Sequence, residues 1–280
     1  MPSFDTPAPI SVTAYVYAGS LQFTASDRAD TIVEVRPRNA KKDLDARAAE
    51  QTEVTYLRGV LTLKTPKPNL LGRGGIVDVT VDLPTGSAVD VTSAAAALLG
   101  EGRLGETRVK IAAGDVRLDT TGPLTLNAAH GSTSVDRIEG AADLTTSSGS
   151  LRVGTITGPA VLKNSHGSTI VDTVTGELRV SGANGAIEIM RAGSDVTGTS
   201  TNGGLRVAEV SRGEVQLETS NGSIEVGVRE GTAAWLDVSS NRGQVRNGLT
   251  ASGAPEESEE TVRIRARSNW GNIDIRRARA

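Results

Sequence analysis

The sequence predicts an all-β chain: a β-solenoid, β-helix-like, of two-strand coils about 18 residues long, preceded by an irregular N-terminal β cap. Three observations predict it. Glycine recurs at a fixed step, apolar and polar residues alternate inside each step, and the middle of the chain is free of aromatic residues.

The irregular part comes first. Ser11 to Phe23, Thr31 to Val35, Val54 to Leu63 and Ile76 to Leu83 alternate as half-buried strands do, while Asp45 to Gln51 reads as one short helix. Thr65 to Gly75 (TPKPNLLGRGG) is a Pro/Gly loop, and the Pro84-Thr85-Gly86 turn leads into the coils. Residues 1–86 are expected to form the cap and first strands, continuous with repeats over 87–280.

Within the repeats, Gly131, Gly149, Gly167, Gly185 and Gly203 are spaced by 18 residues. Gly114 precedes them by 17, and Gly222, Gly243 and Gly271 follow at 19, 21 and 28, so the coils loosen toward the C-terminus. Gly122, Gly140, Gly158 and Gly176 mark a second corner at nearly the same step. Seven and five residues before the first glycine stand pairs such as Leu124 and Leu126, Leu178 and Val180, or Leu236 and Val238. Two and four residues after it stand Leu151 and Val153, Ile187 and Ile189, or Ile273 and Ile275. These columns are the expected core, because apolar residues two apart line one face of a strand. Asn184-Gly185, Asn202-Gly203 and Asn221-Gly222 would also suit a row of hairpins. Stacked coils require a constant step, and independent hairpins do not.

The chain has 280 residues, seven aromatics, 32 glycines, no cysteine and a formal charge of −3, from 30 Lys+Arg against 33 Asp+Glu. No aromatic lies between Tyr56 and Trp235, so small aliphatics must fill the middle. The charge balance argues against a nucleic-acid partner, and the missing cysteines exclude disulfides and thiolate chemistry. Met1 to Ile10 lacks the marks of a signal peptide and no run of 18 apolar residues occurs after it. A cytoplasmic location without direct membrane insertion is therefore expected.

The strand ending in Leu83-Pro84-Thr85-Gly86, followed by units such as SSGSLRV, ANGAIEI, TNGGLRV and ETSNGSIEV, resembles the bacterial "putative adhesin" β-strand-repeat proteins, DUF4097. The likeness covers roughly Ile10 to Ile275. It implies a β-solenoid-like domain without an established catalytic site, and a regulatory or scaffolding role beside an envelope-stress or transporter-associated system.

Candidate chemistry is sparse. The corner column Gly131, Gly149, Gly167, Gly185, Gly203 and Gly222 is structural, and stacked amides of Asn184, Asn202 and Asn221 beside it suit a corner. His130 and His166 share the context HGST but lie two coils apart, too far for one metal ion. Asp119, Asp136 and Asp172 recur at one coil position with Gly154 interrupting them, which is poor spacing for calcium. Gly100 to Gly105 matches G-x-G-x-x-G, but the next stretch, Glu106 to Leu118, alternates like strands and does not open a helix. No catalytic residue, metal site or cofactor is expected. A surface for a partner is expected instead in the charged column three residues after each glycine, which reads Arg152, Ile170, Glu188, Arg206, Glu225, Arg246, together with Trp235 and Trp270, which serve either as partner anchors or as cap packing. The last strand, Asn272 to Ile275, running into Arg276, Arg277 and Arg279, is expected at a charged outer edge. The acidic run Glu256 to Glu260 reads as a solvated loop. The expected function is a non-enzymatic scaffold for a protein partner or for a second copy of itself; the alternatives are a glycan-binding or polysaccharide-active solenoid and a self-assembling rod.

Overall fold

The computed structural model describes residues 1–67, 74–249 and 260–278. Most of the Thr65 to Gly75 loop, Glu256 to Glu259 of the acidic run and Arg279 lie outside the described residues. The chain divides into two compact units, Met1–Glu139 and Gly140–Ala280.

The first unit holds β1 (Ser3–Asp5), β2 (Ser11–Ser26), β3 (Asp30–Pro37), α1 (Asp43–Glu50), β4 (Glu53–Leu57), β5 (Val60–Lys64) and β6 (Val77–Pro84). The coils follow as β7 (Ala88–Arg103), β8 (Thr107–Ala113), β9 (Val116–Thr121), β10 (Leu124–His130) and β11 (Thr133–Ile138). Pairing is parallel from coil to coil: Val89 opposes Thr107 and Thr107 opposes Leu124, steps of 18 and 17 residues. The expected strand from Val54 to Leu63 is in fact the hairpin β4–β5. Arg58 (φ 51°) and Gly59 (φ 80°) make its two-residue turn, in which two positive φ values match the twist of the flanking strands.

The order of the first coils is not the order of the sequence. β2 is the first long strand, yet it lies inside the stack, parallel to β7 along one edge and to β5 and β6 along the other. The outer coil formed by β5 and β6 is itself covered, since β4 pairs antiparallel with β5 and β3 with β6. Its inward residues Leu61, Leu63, Val79, Val81 and Leu83 are consequently buried. The helix predicted near Asp45 is α1, which packs on β3 and β6. Asp45 Oδ1 accepts a hydrogen bond from the Ile76 N–H at 2.9 Å. Ser87 N–H donates to Pro84 O, so the Pro84-Thr85-Gly86 junction is a tight turn inside this unit.

The second unit begins with β12 (Ala142–Ser148), β13 (Leu151–Ile156), β14 (Ala160–His166), β15 (Thr169–Val174), β16 (Leu178–Asn184) and β17 (Ile187–Ala192). It continues with β18 (Val196–Asn202), β19 (Leu205–Val210), β20 (Gly213–Asn221) and β21 (Ile224–Val228), and ends with β22 (Ala233–Arg242), β23 (Val245–Asn247), β24 (Thr261–Trp270) and β25 (Ile273–Arg277). Ala142, Ala160, Leu178 and Val196 oppose one another in register at 18-residue steps. Parallel pairing at this step excludes the row of hairpins. The expected core columns are buried, with two exceptions, Leu236 and Val238, which are half-exposed.

Those exceptions result from a second departure from sequence order. β24 pairs with β20 on one side and β22 on the other, and β25 pairs with β21 and β23. The last coil is thus inserted between β20–β21 and β22–β23. The expectation that Asn272 to Ile275 forms an outer edge is overturned. Ile273 and Ile275 are fully buried, and the outer coil is β22–β23. A parallel strand pairs with whichever backbone is adjacent in space, and the stretch from β23 to β24 is long enough to return to the open slot.

The corner glycines have a physical cause that is more steric than torsional. Gly185 has φ +133°, and a Cβ there would lie 2.1 Å from the carbonyl oxygen of Gly167 on the preceding coil. Gly203 and Gly222 have no such left-handed φ, yet a Cβ at either would meet the oxygen of the preceding corner glycine at 2.0 and 2.1 Å. Glycine is required wherever corners stack on corners. Three residues before the corner the core turns polar: Asn164, Ser200, Thr219 and Ser268 are buried there. Thr219 Oγ1 donates to Gly203 O and Ser268 Oγ to Gly222 O, both at 3.0 Å, while Asn164 Nδ2 donates to Gly149 O at 3.0 Å. These bonds satisfy carbonyls at the corners.

Candidate functional site

The surface residues expected to meet a partner separate into a charged column and an outer coil, both within the second unit. In the column, Ile170, Glu188, Arg206 and Glu225 oppose one another on β15, β17, β19 and β21. Arg206 Nε lies 3.7 Å from Glu225 Oε1. The next member is Asp274 of β25, and only then Arg246, because of the inserted coil. The expected neighbour pair Glu225 and Arg246 is therefore corrected. Two acids stand side by side instead, and Arg276 relieves them by bonding Glu225.

In the outer coil, β22 and β23 each have one strand neighbour among the described residues, β24 and β25. Ala233 N–H donates to Glu260 O and Gly248 N–H to Ile275 O, so these residues face the inner neighbour. In a parallel strand successive residues direct their backbone groups to opposite edges. The N–H and C=O groups of Ala234, Leu236 and Val238, and of Val245 and Asn247, therefore line the free edge. Trp235 is 62 % exposed and Val245 42 %. Trp235 accordingly does not pack as a cap. On the outer face of this sheet Arg263, Arg265 and Arg267 of β24 are neighbours of Trp235, Asp237 and Ser239. Asp237 accepts from Arg267 at 2.8 Å and from Arg265 at 3.3 Å, which holds its carboxyl below the ordinary carboxylate range.

The asparagine column is a ladder. Asn202 Nδ2 donates to Asn184 Oδ1 at 3.1 Å, and Asn221 Nδ2 to Asn202 Oδ1 at 2.9 Å. Trp270 continues it opposite Asn221, and the Arg242 guanidinium lies 4.1 Å from its ring centroid, a cation–π contact.

Three of the other candidates have local partners. Asp119 Oδ2 accepts the Gly102 N–H at 3.0 Å, Asp172 lies 3.6 Å from Arg152, and His166 Nδ1 is 3.3 Å from Ser147 O. Gly100 to Arg103 belong to β7, a strand, where a dinucleotide loop would open a helix. Among the described residues no three His, Asp or Glu side chains group closely enough to hold a metal ion. No helix among them is long and apolar enough to cross a membrane. What sequence reasoning missed is the free edge. The lengthening steps after Gly203 were its only signal.

Parallel coils, stacked corner glycines and inward aliphatic columns define a β-solenoid repeat protein. The chain belongs to the Toastrack DUF4097 family, whose model matches residues 21–276. No curated protein matches it. Among solved structures it is similar to a putative lipid binding protein from Parabacteroides distasonis, at 10 % identity and TM-score 0.43, covering 98 % of this chain and 95 % of that one. It is also similar to a putative adhesin from the same organism, at 13 % and 0.33, and to one from Bacteroides fragilis, at 12 % and 0.32, each covering 98 % of this chain and 95 % of the other.

Proposed function

We propose that the protein is a non-enzymatic interaction module that binds an extended segment of a protein partner along the free edge of β22 and β23. The observation that carries this reading is the outer coil itself, whose outer-edge backbone groups face no strand among the described residues while its inward Leu236 and Val238 remain half-exposed. An added strand would pair those groups and cover those side chains, which is how sheet edges recognise peptides. Trp235, beside the edge, supplies an aromatic anchor. Arg246 lies on the same outer coil, Trp270 stands one strand inward opposite Arg242, and the Glu188, Arg206 and Glu225 column offers a second charged contact. The scaffolding role beside an envelope-stress or transporter-associated system belongs to this proposal.

The test is site-specific photocrosslinking in the source cells with a benzophenone amino acid at Trp235. A discrete adduct is expected, and Val238→Pro should abolish it, because proline removes a free edge N–H without breaking a bond to β24. An adduct of twice the chain's mass would identify the partner as a second copy. No adduct, or one indifferent to Val238→Pro, overturns the reading.

A further inference from the structure

In the first unit, far from any residue of the free edge in sequence, β5, β2 and β7 lie side by side and line a groove of about 620 Å³. Tyr15 and Tyr17, two apart on β2, both point outward and are 48 % and 39 % exposed. Lys64 opposes Tyr15 on β5, Thr92 opposes it on β7, and Lys110 opposes Thr92 on β8. At about 4.8 Å per strand, cation, ring, hydroxyl and cation form a straight row spanning roughly 14 Å. Lys67 lines the same groove with Thr62 and Ser93.

The row is fixed in place. Thr65 N–H donates to Tyr15 O, and Tyr17 N–H to Thr65 Oγ1, both at 2.9 Å, so the backbone under both rings is anchored. None of the ion pairs found among the described residues uses Lys64, Lys67 or Lys110, although Glu53 of β4 stands opposite Lys64. Among the described residues no hydrogen bond or ring contact uses the side chain of Tyr15 or Tyr17.

We infer that this groove binds an acidic polysaccharide, a chain of sugars bearing carboxylates. A ring face accepts the C–H face of a sugar, the Thr62 and Thr92 hydroxyls exchange hydrogen bonds with sugar hydroxyls, and ammonium groups on either side of the ring, in no ion pair among the described residues, match repeated carboxylates. The row runs across the strands and continues past Lys110 to Asn127 of β10, which suits a linear polymer better than a compact ligand. Glu53 and Asp90 face the same side, so an anionic ligand must place its charges at the lysines and away from these carboxylates, which carboxylates spaced along a polymer can do and a continuous sheet of anionic headgroups cannot.

The experiment is calorimetric titration of the whole chain with polygalacturonate, with neutral dextran and with phosphatidylglycerol vesicles, at low salt. Saturable binding of polygalacturonate alone is expected. Tyr15→Ala and Lys64→Ala should each weaken it tenfold or more, Tyr15→Phe should keep it, and Lys163→Ala, an exposed lysine of the second unit, should leave it unchanged. Both sites are exposed, so matching thermal melts will show that the variants fold. Val238→Pro should not affect this titration, which separates it from the edge reading. No binding of polygalacturonate, binding that Tyr15→Ala does not weaken, or Tyr15-dependent binding of the vesicles instead would overturn the inference.

Discussion

The outermost coils of the two units contrast sharply. In the first unit β5–β6 carries antiparallel strands on its outer side, and Leu61 and Leu63 are wholly buried. In the second, β22–β23 has nothing paired to its outer side among the described residues, and Leu236 and Val238 stay half-exposed. Both units nevertheless use the same device, a strand inserted beneath the outer coil. The difference teaches that insertion locks a coil in register, whereas covering is what withdraws its apolar face and backbone from solvent.

The largest effect that can break this contrast is at the aliphatic columns. Leu61→Ala should cost about 2 to 5 kcal/mol, as a cavity in a packed core does, while Leu236→Ala should cost below about 1 kcal/mol. Urea midpoints measure both, and equal losses would mean that the two outer coils are equally enclosed. A second comparison uses glycine. Gly185→Ala, with a Cβ forced onto Gly167 O, should destabilise by about 1 to 3 kcal/mol. Gly231→Ala, in the turn before β22 with φ +78° and open space, should cost about 1 kcal/mol from the torsion alone.

Charge reversal sharpens the comparison further. Arg206 stands between Glu188 and Glu225, so Arg206→Glu should lose about 1 to 2 kcal/mol, largely restored in 1 M salt. Arg246 has an acidic neighbour, Asp274, on one side only, so Arg246→Glu should lose about half as much. Thermal melts at two salt concentrations measure the ratio, and equal losses would contradict the inserted coil.

The smallest effect is in acid. Burial tends to raise the Asp78 carboxyl, but hydrogen bonds from Arg38 and Ser20 outweigh it and hold the group below its ordinary range. Asp237 is lowered by Arg267 and Arg265. A carboxyl whose folded value is depressed contributes stability that is present above the unfolded value, near 4, and is lost as pH falls through the folded one. Asp78→Asn and Asp237→Asn should each flatten the fall in melting temperature below about pH 4 and leave its slope above pH 5 unchanged.

Much of the repeat was legible because its cause is local and recurrent. Each corner excludes a Cβ for the same reason, so Gly167, Gly185 and Gly203 had to keep step, and alternation around them named Leu178, Val180, Ile187 and Ile189 as core. The hairpin at Arg58-Gly59 hid because alternation continues across a two-residue turn. The placement of β24 was illegible for a different reason: its register depends on which coil edge lies open, and Val262, Ile264 and Ala266 would suit the interior of any coil. Of the residues expected at a partner surface, Trp235 and Arg246 lie on the free edge's own coil, while the tyrosine groove left no mark, since outward Tyr15 and Tyr17 alternate as any strand does.

The inserted coil also imposes a timetable on synthesis. β22 and β23 leave the ribosome before β24 and β25, yet in the finished molecule they rest on them. Until Thr261–Trp270 and Ile273–Arg277 have emerged, the correct neighbour for β22 does not exist, and the exposed edge of β20–β21 is open to the wrong one. Closure of this part of the chain therefore waits on its latest-made strands, which slide in as a bolt does after the door is already in its frame.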